Sequence, residues 1–229
     1  MPSLSRDEVR AIDRCAIETI GVAGEVLMEN AGRQGADAVE RLLGGAAAGR
    51  SVAIVAGAGN NGGDGLVMAR HLALRGARVV TFLVARPEKL TGEAATNYHV
   101  ACKLGLEIRQ LAGDELAGLA GELAKFDAVV DAVGGTGIRG PLRGDSAVAV
   151  EQINAAARPV VAVDIPTGMD CDTGEAPAPT VRAAMTVTFV ARKKGFDAPG
   201  ADAYTGEVRV ADIGIPAEVV ARIARGNGA

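Results

Sequence analysis

Residues 52–72 read VAIVAGAGNNGGDGLVMARHL, and the way this stretch divides decides the fold. Residues 52–56 are apolar or small and have the length of a buried strand. A glycine-rich turn with two Asn and one Asp follows, and residues 65–74 return to apolar helical spacing around Arg70 and His71. Strand, loop and helix in that order expose backbone N–H groups beside a helix start. There the unpaired donors and the macrodipole favour an anion such as a phosphate. Gly76 ends the helix, and β-branched Val79, Val80 and Thr81 mark a second strand over 77–84, which completes a βαβ unit with parallel strands.

On the N-terminal side, Ser5 and Glu8 form a capping box ahead of Val9, Ile12, Ala16 and Ile20, which predicts a helix over 6–20 stopped by Gly21. A second helix over 26–43 carries Glu29 and Asn30, then Ala31 and Gly32, whose small size permits close backbone packing. Asn30 reads as a helix-surface amide. On the C-terminal side, helices predicted over 91–104, 114–123, 146–156 and 216–225 interleave with strands over 106–110, 127–133, 159–165, 185–190 and 207–213. This alternation predicts an α/β fold of Rossmann-like, three-layer α/β/α type with a mainly parallel, doubly wound sheet, in one domain over 1–229.

Composition narrows the function. A net charge of -4, with Lys and Arg scattered through the chain, gives no electrostatic footprint for nucleic acid. Aromatics make up 3% of the 229 residues, so few platforms exist for stacking bases. Cys15, Cys102 and Cys171 are odd in number and never form a CxxC pair, which suggests neither a disulfide framework nor a zinc site, and a cytoplasmic setting is expected. The N-terminal stretch MPSLSRDEVRAID is charged and lacks the apolar core of a signal peptide. No window approaches the roughly 18 apolar residues of a membrane span, so no membrane is expected as a partner.

Four predicted strand ends carry unusual polar or glycine content: GAGNNGGDG, DAVGGTGIRGP, DIPTGMDCDTGE and RKKG. In open parallel sheets, ligands bind outside the carboxyl ends of the strands, so the four loops can meet around one ligand. The first loop departs from the dinucleotide fingerprint GxGxxG and lacks the Lys-Ser/Thr of a P-loop. The two Tyr, Tyr98 and Tyr204, supply no Tyr-x-x-x-Lys arrangement, which disfavours a short-chain oxidoreductase. Asp64 reads either as the N-cap of the following helix or as a ligand contact. His71 and His99 read as structural.

Taken together, GNNGGDG with LVMARHL, DAVGGTG, VDIPTG, TVTFVARKKG and the segment ENAGR at residues 29–33 closely resemble the YjeF-type N-terminal domain family. That family's characterised enzymes are NAD(P)HX epimerases, and the resemblance covers roughly residues 30–196 in a specific motif order. Many relatives are fused to an ADP-dependent dehydratase, and this chain resembles the stand-alone form. The resemblance implies an isomerase of nicotinamide nucleotide repair that interconverts the R and S forms of hydrated NADH and NADPH. It also implies a homodimer and a functional partner in a separately encoded NAD(P)HX dehydratase. The alternative is a non-catalytic nucleotide-binding or interaction module on the same fold.

Residue by residue, the resemblance implies substrate binding by Asn60, Asn61, Gly62, Gly63 and Asp64, and by Gly135, Thr136, Gly137, Ile138, Arg139, Gly140, Pro141 and Asp164. It implies a potassium ion held by Asn61, Asp131 and Thr167, whose amide, carboxylate and hydroxyl oxygens suit a hard cation. A strand-end cap is the other role open to Asp131. Asp164 is expected as the catalytic acid/base, from the family and from its strand-end position. Lys193 is the second catalytic candidate, with a phosphate contact or a solvated charge as its alternatives. Two positions depart from the family pattern: Thr167 stands where Ser is usual, and Gly134 where a bulky apolar residue is usual.

Overall fold

A computed structural model describes residues 3–225; Met1 and Pro2, which open the N-terminal stretch read above, lie outside them with 226–229. Seven strands form one sheet in the order β3-β2-β1-β4-β5-β6-β7. They are β1 (Ser51–Ala56), β2 (Arg78–Leu83), β3 (Glu107–Gln110), β4 (Ala128–Ala132), β5 (Val160–Val163), β6 (Met185–Phe189) and β7 (Glu207–Ala211). Every pairing is parallel, with Val52 opposite Val79 on one side and Ala128 on the other.

The central strands are apolar and buried except at Ser51, which opens β1, and Asp131 in β4, because both sheet faces are covered. Val52, Ile54, Ala56, Val130, Val161 and Val163 join one core with the helices α1 (Arg6–Arg14), α2 (Gly24–Leu42), α3 (Asn60–Leu74), α4 (Gly92–Lys103) and α8 (Ala217–Ala224). Ala53, Val55, Val129, Val160 and Ala162 point the other way, toward α5 (Leu119–Leu123) and α6 (Gly144–Ala155). A four-residue α7 (Asp202–Thr205) precedes β7. No helix among the described residues is long and apolar enough to cross a membrane.

Three local readings change. The helix of the central unit starts at Asn60 with Gly59 as its cap, five residues before the predicted start, so Asp64 is inside the helix and is not its N-cap. The glycines of GNNGGDG are therefore helical, and packing explains them: a Cβ on Gly62 would stand 1.9 Å from the Gly57 carbonyl oxygen, and one on Gly65 2.7 Å from Ala132 Cβ. Only this absence of side chain lets the first turn of α3 sit on the ends of β1 and β4. Asn30 is no surface amide, because its Nδ2 donates to the Ile213 carbonyl 2.9 Å away and ties α2 to the segment after β7. The first helix has its capping box at Ser5 and Glu8, but it passes at Cys15 into a π-helical turn, Cys15–Ile20, before Gly21 stops it.

Small residues bring α2 onto α3 as expected. A Cβ on Gly32 would lie 2.4 Å from Val67, and one on Gly35 2.5 Å from the Met68 sulfur. His71 accepts a structural role, with Nε2 2.8 Å from Glu29 on α2.

Candidate active site

Because all seven strands are parallel, their carboxyl ends share one edge of the sheet. The chain runs from β1 outward to β3 and returns to β4 on the other side of β1, so the crevice of this doubly wound sheet falls between β1 and β4. A cavity of about 550 Å³ opens there. Asn60, Asn61 and Asp64 line it from the start of α3, residues 133–138 from the loop after β4, Asp164 from the end of β5, and Val190 and Lys193 from the end of β6. Val9, Arg10, Asp13 and Ile17 supply a further wall from the first helix.

Asp164 follows β5 directly and has φ +67°, a left-handed conformation that L side chains rarely adopt. The Ile165 N–H reaches back to the Val163 carbonyl at 2.8 Å and closes a three-residue turn around it. The end of β6 repeats the device: Val190 has φ +70°, and the Ala191 N–H donates to the Phe189 carbonyl at 2.8 Å. Each such residue costs about 1–3 kcal/mol, and such strain concentrates at functional sites. Both sharp turns border the cavity, one presenting Asp164 and the other leading to Lys193.

The two side chains meet. Lys193 Nζ lies 3.0 Å from Asp164 Oδ1 and donates to the Phe189 carbonyl at 2.9 Å, with no exposed surface. The solvated-charge alternative for Lys193 is thereby excluded. Asp164 Oδ2 accepts the backbone N–H of Thr136 at 3.0 Å and its hydroxyl at 2.5 Å. Burial alone would raise this carboxyl, but the Lys193 ammonium and the two Thr136 bonds outweigh it and hold Asp164 below the ordinary carboxylate value.

Asp131 sits at the end of β4, fully buried, and accepts the Thr167 N–H at 2.8 Å on one oxygen and the Thr167 hydroxyl at 2.6 Å on the other. The same hydroxyl oxygen lies 2.9 Å from the Gly134 carbonyl. That oxygen also accepts the Gly134 N–H at 3.0 Å, and its one proton serves either the Gly134 carbonyl or Asp131. Burial pushes Asp131 up to about 6 against those hydrogen bonds. Asn61 is also buried, and neither Oδ1 nor Nδ2 has a hydrogen-bond partner among the described residues. The Thr167 methyl is accommodated without exposure. At Gly134, a Cβ would lie 2.3 Å from Ile138 Cδ1, so Ile138 fills the space that a larger residue would take.

The substrate loop divides. Gly135, Thr136, Gly137 and Ile138 line the cavity, whereas Arg139, Gly140 and Pro141 are exposed beyond it. Gly62 and Gly63 lie behind the lining, against the Gly57 backbone and Met28. His99 stands apart from the cavity, edge-on to Tyr98. Among the described residues no group of three or more His, Cys, Asp or Glu is arranged to hold a metal ion.

Two residues of the site escaped the sequence reading. Buried Arg6 donates to the carbonyls of Thr136 at 2.7 Å and Ile138 at 3.0 Å and pairs with Asp170 at 2.9 Å, so the N-terminal segment clamps the loop that carries Thr136. Leu4 reinforces it by bridging Lys193 as a short parallel pair. Asp13 is the other, an acid within the apolar stripe of α1; burial, then the charge of Asp164, pushes it up to about 6. Asp64 is also pushed well up, by burial first and then by the charges of Asp164 and Asp13.

The model of the family described as YjeF-related protein N-terminus matches residues 24–195. The chain is 44% identical over 220 residues to the NAD(P)H-hydrate epimerase of Rhodopirellula baltica, covering 96% of this chain and 87% of that protein. It is 42% identical to the protein of the same name from Pirellula staleyi, covering 95% of each. A bifunctional NAD(P)H-hydrate repair enzyme from Moorella thermoacetica is 44% identical, and the chain spans 41% of its length. Among solved structures, that of a yeast protein superposes with a TM-score of 0.75 at 32% identity, covering 85% of this chain and 83% of that one.

Proposed function

The chain belongs to the family of YjeF-related protein N-termini, and from that premise we propose that it interconverts the R and S epimers of hydrated NADH and NADPH. The observation that carries the reading is Asp164, held ionised by a fully buried Lys193 at the mouth of the sheet crevice. A pair so costly to bury needs a use beyond stability, because well-packed apolar residues would stabilise the fold as well.

In the substrate, the reacting ring carbon bears a hydroxyl and is bonded to the ring nitrogen. The nitrogen lone pair can close a C=N bond as the C–O bond breaks, and return of the oxygen to the other face inverts the centre. Asp164 is the group that moves the proton on that oxygen. Lys193 keeps it available as a base, and Thr136 orients it through two bonds to one oxygen. The start of α3 faces the cavity with Asn60 and its unpaired N–H groups, a setting for the pyrophosphate. A dehydratase acting on one epimer would consume the product.

Asn61, Asp131 and Thr167 suit a potassium ion: a buried amide oxygen without a partner, a buried carboxylate and a buried hydroxyl are hard oxygen donors of the kind a monovalent cation takes. Held by these residues, the ion would supply positive charge to the substrate site.

The test incubates the chain with R-NADHX and an S-specific dehydratase and follows recovery of NADH. Acceleration over spontaneous epimerisation is expected, and Asp164→Asn lowers kcat by about 10²–10⁴-fold. A rate equal to the spontaneous one rejects the reading.

A further inference from the structure

The cavity contains a second carboxyl to which the mechanism above gives no work. Val9, Asp13 and Ile17 recur every four residues, so one stripe of the first helix faces the cavity and sets Asp13 on its wall. Asp164 borders the same space from the strand ends. We propose that Asp13 is the second proton-transfer residue of the epimerisation, serving the substrate ring from the α1 wall while Asp164 serves it from the strand-end wall. This rests on the epimerase reading.

The chemistry asks for two groups. Inversion needs the oxygen to leave from one ring face and return to the other, and a single carboxyl on one wall reaches only one face unless the ring turns over. In one direction, protonated Asp13 gives its proton to the hydroxyl, and the C–O bond breaks with its electron pair leaving on water. The ring nitrogen lone pair closes the C=N bond. A water oxygen then bonds to the carbon from the other face, the C=N pair returns to nitrogen, and the surplus proton passes to the Asp164 carboxylate. One proton is donated and one taken up; exchange with water then returns Asp164 to its ionised form and Asp13 to its protonated form before the next turnover, and the reverse reaction uses the same two groups with roles exchanged.

The surroundings suit the division. Asp13 is pushed up to about 6 by burial and Asp164, with Lys193 opposing, whereas Asp164 is held low. Pairs of acids whose environments drive them apart are a recurrent basis for acid and base assignments. The other charged groups lining the cavity with Asp13 are Asp64 from α3, Glu93 from α4, Asp164 and Lys193 from the strand ends, and Arg10 from α1 itself; the charges of Asp164 and Lys193 act on Asp13. What favours Asp13 over Asp64 as the proton donor is that it reaches the cavity from α1, between the apolar Val9 and Ile17, and not from the first turns of α3, which are assigned to the pyrophosphate.

The experiment compares wild type, Asp13→Asn, Asp13→Glu and Asp164→Asn, each confirmed folded by circular dichroism, in the coupled assay at saturating R-NADHX across the acid and neutral range. Asp13→Asn is expected to lose about 10²-fold or more in kcat with KM nearly unchanged, and its kcat profile to lose one limb. Asp13→Glu is expected to restore at least about tenfold of that loss together with the missing limb. An active wild type with Asp13→Asn unimpaired, impaired only in KM, or slower with an unaltered pH profile overturns the assignment and leaves the epimerase reading standing. A wild type that does not accelerate the reaction overturns both.

Discussion

Lys193 holds its ammonium 3.0 Å from Asp164 Oδ1 in a place where water does not reach the lysine at all. Removing one member of such a pair leaves the other charge buried without compensation. Lys193→Met should therefore destabilise the chain by about 3–5 kcal/mol. The double variant Lys193→Met, Asp164→Asn removes both charges and should recover a large part of that loss. Urea unfolding of the four proteins in a double-mutant cycle measures the coupling, and additive losses would show that the pair is not energetically linked.

Asp13 should work against the fold at neutral pH. Its carboxyl is pushed up to about 6 in the folded chain, above the ordinary unfolded value of about 3.9. Between those values the folded state binds more protons than the unfolded one, so this group's contribution falls as pH rises through about 4 to about 6. Asp13→Asn should then be more stable than wild type above that window, by about 1–3 kcal/mol, and equal to it at the acid end. Stability gained by deleting Asp13 would accord with the role proposed for it, since trading stability for function is usual at active sites. Denaturant midpoints across the acid and neutral range decide it, and a variant less stable than wild type at neutral pH would contradict the argument.

The sheet was legible because buried parallel strands are nearly continuous apolar runs, so residues 52–56 fall within β1, and 127–133 and 159–165 contain β4 and β5. The early start of α3 was not, because glycine is a poor helix former and only the backbone of Gly57 beneath Gly62 explains its use. Arg6 lay hidden for another reason. Its partners Thr136, Ile138 and Asp170 are more than a hundred residues away, and no local pattern announces them. Nor could sequence show that Asp164 and Val190 have positive φ, since Asp adopts it only occasionally and β-branched Val avoids it. Asp13 left a faint signal, an acid four residues after Val9 and four before Ile17.

Potassium should stabilise the folded chain. A cation taken up by Asn61, Asp131 and Thr167 binds the native state and not the unfolded one, so ten times its Kd contributes about 1.4 kcal/mol. For a chain of this size that raises Tm by roughly 3–6 °C. Thermal melts in potassium chloride and in tetramethylammonium chloride at equal ionic strength provide the comparison. Asp131→Asn and Asn61→Ala should each abolish the difference, and a shift that survives both would place the ion elsewhere.

Two glycines separate fold from site. A Cβ on Gly62 would stand 1.9 Å from the Gly57 carbonyl oxygen and 2.8 Å from its carbon, all backbone that cannot yield without lifting α3 off the sheet. Gly62→Ala should cost about 3 kcal/mol or more, at the severe end of overpacking. A Cβ on Gly135 meets only side chains, Asp164 Oδ2 at 2.9 Å and Asn61 Oδ1 at 3.2 Å. Those can shift, so Gly135→Ala should change stability by no more than about 1 kcal/mol. The shift falls on the carboxyl proposed for proton transfer and on the unpartnered amide, so the rate should fall, toward the roughly 10²-fold that a displacement of about 1 Å costs. Urea midpoints and the coupled assay on both variants test the contrast. A Gly135→Ala protein of full activity would mean that the position of Asp164 against this loop does not govern the rate.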